Sequence, residues 1–225
     1  EANLPVLVVT VPLIGGILTI LMGRGKGPWA WATLITGVVF WFTWRLMQQV
    51  LASKTGVVSY ELGNWPRPWG IEYRGDALNA FILLTVAGVA FVTTLYAQKS
   101  VEKEIPADRH NFFYAVWVLA ICGLLGITVT GDAFNVYVLL EISSLTVYAL
   151  IAMGKDMNRQ ALTASLRYLI LGSVGASFIL LGIGYLMMVT GTLNMQDIHD
   201  RLAAMPDAVH NRTILVAFAF LLVGL

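Results

Sequence analysis

Apolar residues along this chain gather into runs of about 18 or more, the length that spans roughly 30 Å of hydrocarbon at 1.5 Å per residue. The first run, about residues 5–22, is stopped by the glycine-rich Gly23-Arg24-Gly25-Lys26-Gly27, and a second follows over about 28–50. Residues 51–75 are more polar. There Val57-Val58-Ser59-Tyr60 and Ile71-Glu72-Tyr73 alternate around Pro66 and Pro68, which predicts a small interfacial hairpin with Tyr60, Trp65, Trp69 and Tyr73 in the headgroup belt. A third helix is expected over about 76–96, a charged loop over 98–109, and a fourth helix over about 112–129. After Thr130-Gly131-Asp132 a fifth runs to about residue 153. A sixth, about 160–189, is roughly 45 Å long and must tilt, kink or protrude. A polar stretch, 190–211, precedes a last apolar run, 212–225, that is too short to cross. The pattern predicts an all-α, polytopic transmembrane bundle of about six full helices plus the start of a seventh. A helix stopping inside hydrocarbon would leave its last carbonyls unpaired, so residues 1–225 read as the front portion of a longer domain.

Composition agrees with this pattern: 58% of residues are hydrophobic, 12% are charged, and the mean hydropathy is +0.76. A net charge of +1 gives no basic face for nucleic acid. The single cysteine, Cys122, lies in an apolar run, which excludes a disulfide framework or thiolate metal site and leaves a packing or lipid-facing role. The first run has no basic leader or small-residue cleavage pattern, so it reads as a retained helix. Arg24 and Lys26, then Lys99, Lys103 and Arg109, then Lys155 and Arg159, follow helices one, three and five. This bias puts those turns on the cytoplasmic side and the N-terminus outside, in a multi-pass protein of the cell (inner) membrane.

Glu141 is the outstanding chemical feature. It stands nine residues after Asp132, hence roughly 13 Å into helix five and near the membrane centre. A carboxylate there costs on the order of 2.5–3.5 kcal/mol, and an exchangeable proton is its natural use. Tyr137, Ser144 and Tyr148 share its helical stripe, offering hydroxyls for a proton path. The alternative is a glutamate paired to a neighbouring helix only to fix packing. Arg167, about two turns into helix six, either points inward to Glu141 or bundle water, or snorkels to the interface. Asp132 and Asp76 open helices five and three as N-caps. Gly172, Ser173, Gly175, Ala176 and Ser177 form a small-residue patch for close helix approach. His199 and His210 read as surface groups, and Trp29, Trp31, Trp41 and Trp44 as interfacial or lipid-facing residues.

The stretch Thr130-Gly131-Asp132-Ala133-Phe134-Asn135-Val136-Tyr137-Val138-Leu139-Leu140-Glu141-Ile142-Ser143-Ser144-Leu145 resembles a helix of the antiporter-like subunits shared by respiratory complex I, membrane-bound hydrogenases and Mrp-type sodium/proton antiporters. Arg167-Tyr168-Leu169-Ile170-Leu171-Gly172-Ser173, Thr190-Gly191-Thr192-Leu193-Asn194-Met195, Leu62-Gly63-Asn64-Trp65-Pro66 and Gly70-Ile71-Glu72 extend the resemblance over nearly the whole chain, with the D subunits of Mrp antiporters most similar. The resemblance implies the N-terminal portion of an inverted-repeat fold with coupling sites near the midplane. It implies a non-enzymatic subunit that conducts protons, in monovalent cation/proton (Na+/H+) antiport, beside other membrane subunits of a multisubunit complex. The alternative that the resemblance implies is the proton-pumping subunit of an NADH-quinone oxidoreductase or membrane-bound hydrogenase. Glu141 would be the switch, with Tyr137, Ser144, Tyr148 and Arg167 around it. In the family this glutamate pairs with a lysine of helix seven, whereas no lysine follows Lys155 here. Quinone, flavin and iron-sulfur ligation are also lacking, so no cofactor is expected and redox chemistry would belong to partner subunits.

Overall fold

A computed structural model describes residues 3–23, 25–153, 159–206 and 208–225. Arg24 and Lys155, both used in the charge-bias argument, lie outside the described residues. The first helix, α1, Leu4–Thr19, has proline in its first turn and ends through a 3-10 turn, Ile20–Met22. Gly23 then leaves the helix at a φ of 72°, a conformation that glycine adopts without steric penalty. Next come α2, Gly27–Ala52, and an antiparallel hairpin of β1, Val58–Glu61, and β2, Glu72–Gly75, registered Val58 to Gly75 and Glu61 to Glu72.

Four further long or apolar helices follow: α3 (Ala77–Glu104), α4 (His110–Val129), α5 (Ala133–Ala152) and α6 (Arg159–Thr190). The short α7, Met195–Ala203, leads to α8, Arg212–Gly224. Among the described residues, six helices are long and apolar enough to cross a membrane and one small hairpin is present, so the chain is a multi-pass, all-α bundle. Asp76 and Asp132 are N-caps as expected, accepting from the backbone N–H of Asn79 and Asn135 at 2.8 Å each.

The structure differs from the sequence reading at four places. Helix α3 does not end near residue 96 but continues to Glu104. Gln98, Lys99, Glu102 and Lys103 end the apolar run, yet they are good helix formers, and Gln98 donates to Glu102 one turn on. The polar stretch before the last apolar run contains α7, whose start Asn194 caps through its side chain. Tyr73 is buried rather than in a headgroup belt, and burial pushes its hydroxyl above the ordinary 10.0, opposed by Asn135. Trp41 and Trp44 are exposed, but Trp29 and Trp31 turn inward and donate to the carbonyls of Thr94 (2.9 Å) and Gly15 (3.1 Å), fastening α2 to α3 and α1.

The core sits between α1, α2, α3 and α4, where Val8, Ala32, Val39, Leu83, Val118 and Leu125 are sealed from solvent. Cys122 is part of it, its Sγ 3.3 Å from the carbonyl of Val9. Of the most apolar stretch, 56% is buried in Ala107–Val129 but only 17% in Ala133–Ala152. Helix α5 packs through Leu139 and Ser143 against Gly126 and Gly123 of α4 and through Tyr148 against α6, and presents its remaining faces away from the core.

Candidate functional site

Glu141 is the ninth residue of α5, half-buried in a helix otherwise free of Asp, Glu, Lys and Arg. None of the hydrogen bonds or ion pairs among the described residues involves its carboxylate. Tyr137 and Ser144, also half-buried, lie one turn away on either side, and Tyr137 packs on Phe134 with ring centroids 6.0 Å apart. Tyr148 is buried against α6. It meets Tyr168 edge-on at 5.2 Å, its hydroxyl fills the space where Gly172 has no side chain, and its carbonyl accepts from Ser165 Oγ at 2.8 Å. On the other side of the small-residue patch, Gly175 meets Gly224 of α8. The patch thus lets both α5 and α8 approach α6.

Arg167 is exposed on α6 and forms no ion pair with Glu141 among the described residues. Ser165 lies level with Tyr148, about 10 Å of helix below Glu141, so Arg167 falls more than a turn short of the Glu141 level. The structure therefore aligns Tyr137, Glu141, Ser144 and Tyr148 along one stripe and leaves Arg167 nearer the α5–α6 turn.

A second carboxylate is buried more deeply than Glu141, and the sequence reading passed over it. Glu72 on β2 is 4% exposed. Its Oε1 accepts from Ser59 Oγ on the paired strand at 2.5 Å, and its Oε2 accepts from Asn194 Nδ2 at 2.7 Å. Arg67 stands 3.7 Å from Oε2 and 3.5 Å from Asp197, at the solvent edge. Around this carboxylate three segments are braided by their backbones: Gly131 N–H donates to the carbonyl of Glu72 (2.8 Å), Ala133 to Leu193 (2.8 Å) and Met195 to Gly131 (2.9 Å). Isolated bridges join Tyr73 to Thr130 and Asp132 to Asn194. Gly70-Ile71-Glu72, Thr130-Gly131-Asp132 and Thr190-Gly191-Thr192-Leu193-Asn194-Met195, three separate motifs along the chain, thus meet at one end of the bundle. In the sequence the signals were a lone glutamate in a strand of alternating polarity and the place of all three segments among the motifs of the family resemblance, neither of which says that they meet.

Asp132 belongs to the same end. Burial raises its carboxyl above the ordinary 3.8, partly offset by the N–H groups of Asn135 and Phe134. A group that holds its proton more tightly when folded favours folding most at low pH, and that contribution is lost as pH rises through its folded-state value. Asp132→Asn should keep the cap and remove this pH dependence from thermal unfolding of the full-length protein in detergent, whereas Asp132→Ala should lose about 1 kcal/mol.

Elsewhere, His199 and His210 are exposed, and no group of three or more His, Cys, Asp and Glu is placed to hold a metal ion among the described residues.

Residues 130–225 match the family described as NADH:quinone oxidoreductase/Mrp antiporter, transmembrane. Over its whole length the chain is 37% identical to the N subunit of an NADH-quinone oxidoreductase of Desulforudis audaxviator, covering 44% of that protein. It is 30% identical to the D subunit of the Na(+)/H(+) antiporter of Bacillus subtilis, over 89% of this chain and 40% of the other. Among solved structures it is similar to a chain of the membrane-bound sulfane sulfur reductase, an archaeal respiratory membrane complex. The TM-score is 0.87 at 27% identity, over 99% of this chain and 44% of that one. The chain spans less than half the length of these relatives.

Proposed function

The chain belongs to the antiporter-like membrane subunit family of NADH:quinone oxidoreductases and Mrp antiporters, and on that premise we propose that it is the N-terminal part of a proton-conducting subunit with Glu141 as its ionisable switch. The carrying observation is the carboxylate itself: Glu141 stands mid-span in α5, and no described residue pairs with it. Among the described residues such a group is not committed to a fixed contact, and it is suited to taking and releasing a proton as a cation approaches and leaves. Tyr137, Ser144 and Tyr148 are its relay neighbours on the same stripe. Arg167 acts from further along α6.

In the primary reading proton movement is exchanged for a monovalent cation, sodium, within a complex of membrane subunits, which the similarity to the Bacillus subtilis antiporter protein supports. The whole-length similarity to an oxidoreductase N subunit favours a second reading, in which electron transfer in partner subunits drives the same path. Exposed Lys26 before α2, Lys99 and Lys103 in the last turns of α3, and Arg159 at the start of α6 support a cytoplasmic placement of that end and an outer N-terminus.

Inside-out vesicles carrying the full-length complex separate these readings. Sodium-dependent proton movement without an electron donor supports exchange, and donor-dependent movement indifferent to sodium supports the redox reading. In either case Glu141→Gln should abolish it, and an unchanged rate would overturn the assignment of the switch.

A further inference from the structure

Glu72 plays no part in the path just described, yet it is among the most constrained side chains of the protein. Asn194 is 1% exposed, and its Oδ1 accepts the N–H groups of Gln196 (3.0 Å) and Asp197 (3.1 Å) as the cap of α7. That end of the amide is committed, so Nδ2 must face Glu72, and Glu72 must present an acceptor there. The same residue takes Ser59 on its other oxygen and Gly131 on its carbonyl. One residue thereby ties the hairpin to both the turn that opens α5 and the turn that closes α6. A cavity of about 180 Å³, lined by Glu72, Arg74, Asn79, Thr130, Asn194 and Gln196, opens beside the knot, so water competes for these bonds whenever they lengthen.

We propose that Glu72 is a positioning residue of the proton path: through Asn194 it sets the level of α5 relative to α6, and so the place of Glu141. This rests on the proton-conduction reading above. Sliding or rotating α5 against α6 requires the direct Ala133–Leu193 and Met195–Gly131 backbone bonds to part and, through the hairpin that braces them, the Glu72–Asn194 bond or the Gly131–Glu72 backbone bond as well, because both helices hang from that knot by turns of a few residues. Position, not charge, is what the knot needs. A glutamine at 72 can accept from Asn194 with its oxygen and donate to Ser59 with its amide, since a serine hydroxyl serves either way.

The experiment measures proton movement, with a ΔpH-sensitive dye, in inside-out vesicles carrying the full-length protein in its complex, with assembled complex quantified on native gels. Glu72→Ala leaves Asn194 Nδ2 buried without an acceptor. Asn194→Ser keeps a helix cap but cannot reach Glu72. Each should slow transport on the order of tenfold per assembled complex, the scale of leaving a buried polar group without its partner, while Glu72→Gln, which keeps an acceptor for Asn194, stays within about twofold of wild type. If Glu72→Ala fails to assemble, Asn194→Ser decides: a slowed rate supports the knot, and a wild-type rate overturns it. Glu72→Gln as slow as Glu72→Ala would overturn it as well, by showing that the charge is what matters. With Glu141→Gln run alongside, a slow Glu141 variant beside fast Glu72→Ala and Asn194→Ser variants rejects the positioning role alone, whereas a fast Glu141 variant rejects the proton path and the positioning role together.

Discussion

Glu141→Gln in the full-length, assembled complex should slow proton movement on the order of a hundredfold or more, the scale of losing a positioned proton-transfer group. The amount of assembled complex should not fall. Glutamine has nearly the shape of the glutamate it replaces, and it removes a charge whose placement in mid-membrane costs on the order of 2.5–3.5 kcal/mol, so the bundle is relieved rather than strained. No ion pair among the described residues is broken by the change. Glu141→Asp is the informative companion. It keeps a titratable carboxyl but withdraws it by one methylene from the level of Tyr137 and Ser144, so transport should persist at a reduced rate. Wild-type transport in Glu141→Gln vesicles would instead leave Glu141 as a packing residue.

The second large effect is expected at Gly123, where the backbone of α5 lies close against α4. A Cβ placed there would stand 2.7 Å from Ser143 Cβ, 2.8 Å from Ser143 N and 2.9 Å from the carbonyl oxygen of Leu139. Two of those three atoms are backbone, so no rotamer change makes room, and α5 itself must move. Gly123→Ala should destabilise the protein by about 1–3 kcal/mol, the usual scale of core overpacking, and a valine by more. Because Ser143 is two residues from Glu141, the displacement should lower transport as well as the melting temperature. Gly184 on α6 is the control. Nothing lies within 4 Å of a Cβ there, so Gly184→Ala should be neutral or, through helix propensity, stabilising by up to about 1 kcal/mol. Equal melting temperatures for Gly123→Ala and Gly184→Ala would show that α4 and α5 are not in tight register.

Much of this architecture was legible in the chain. Spans appear as apolar runs because hydrocarbon thickness imposes a length, and the starts of α3 and α5 appear as Asp76 and Asp132 because a cap acts over three residues. Glu141 stood out for the same local reason: it is an ionisable side chain inside an apolar run. The end of α3 was misjudged because apolar length reports the membrane, whereas helix length reports backbone propensity, and the two part where Gln98 and Lys99 leave the hydrocarbon. Tyr60, Trp65, Trp69 and Tyr73 looked alike as belt aromatics. Only their neighbours separate Tyr73, buried beside Thr130, from Trp65 and Trp69, which are exposed.

By itself, then, the sequence determined the number and approximate place of the helices long and apolar enough to span, the caps of α3 and α5 and the carboxylate in mid-helix, since each is set by interactions within a helical turn or by the solvent outside, while the family was legible in its motifs. Tertiary structure alone decided that Trp29 reaches Thr94 across 65 positions, that Arg167 stands apart from Glu141, and that Glu72 is a buried knot whose partner, Asn194, lies 122 positions away. Such pairings depend on which helix ends meet in space, and no local pattern of polarity carries that information.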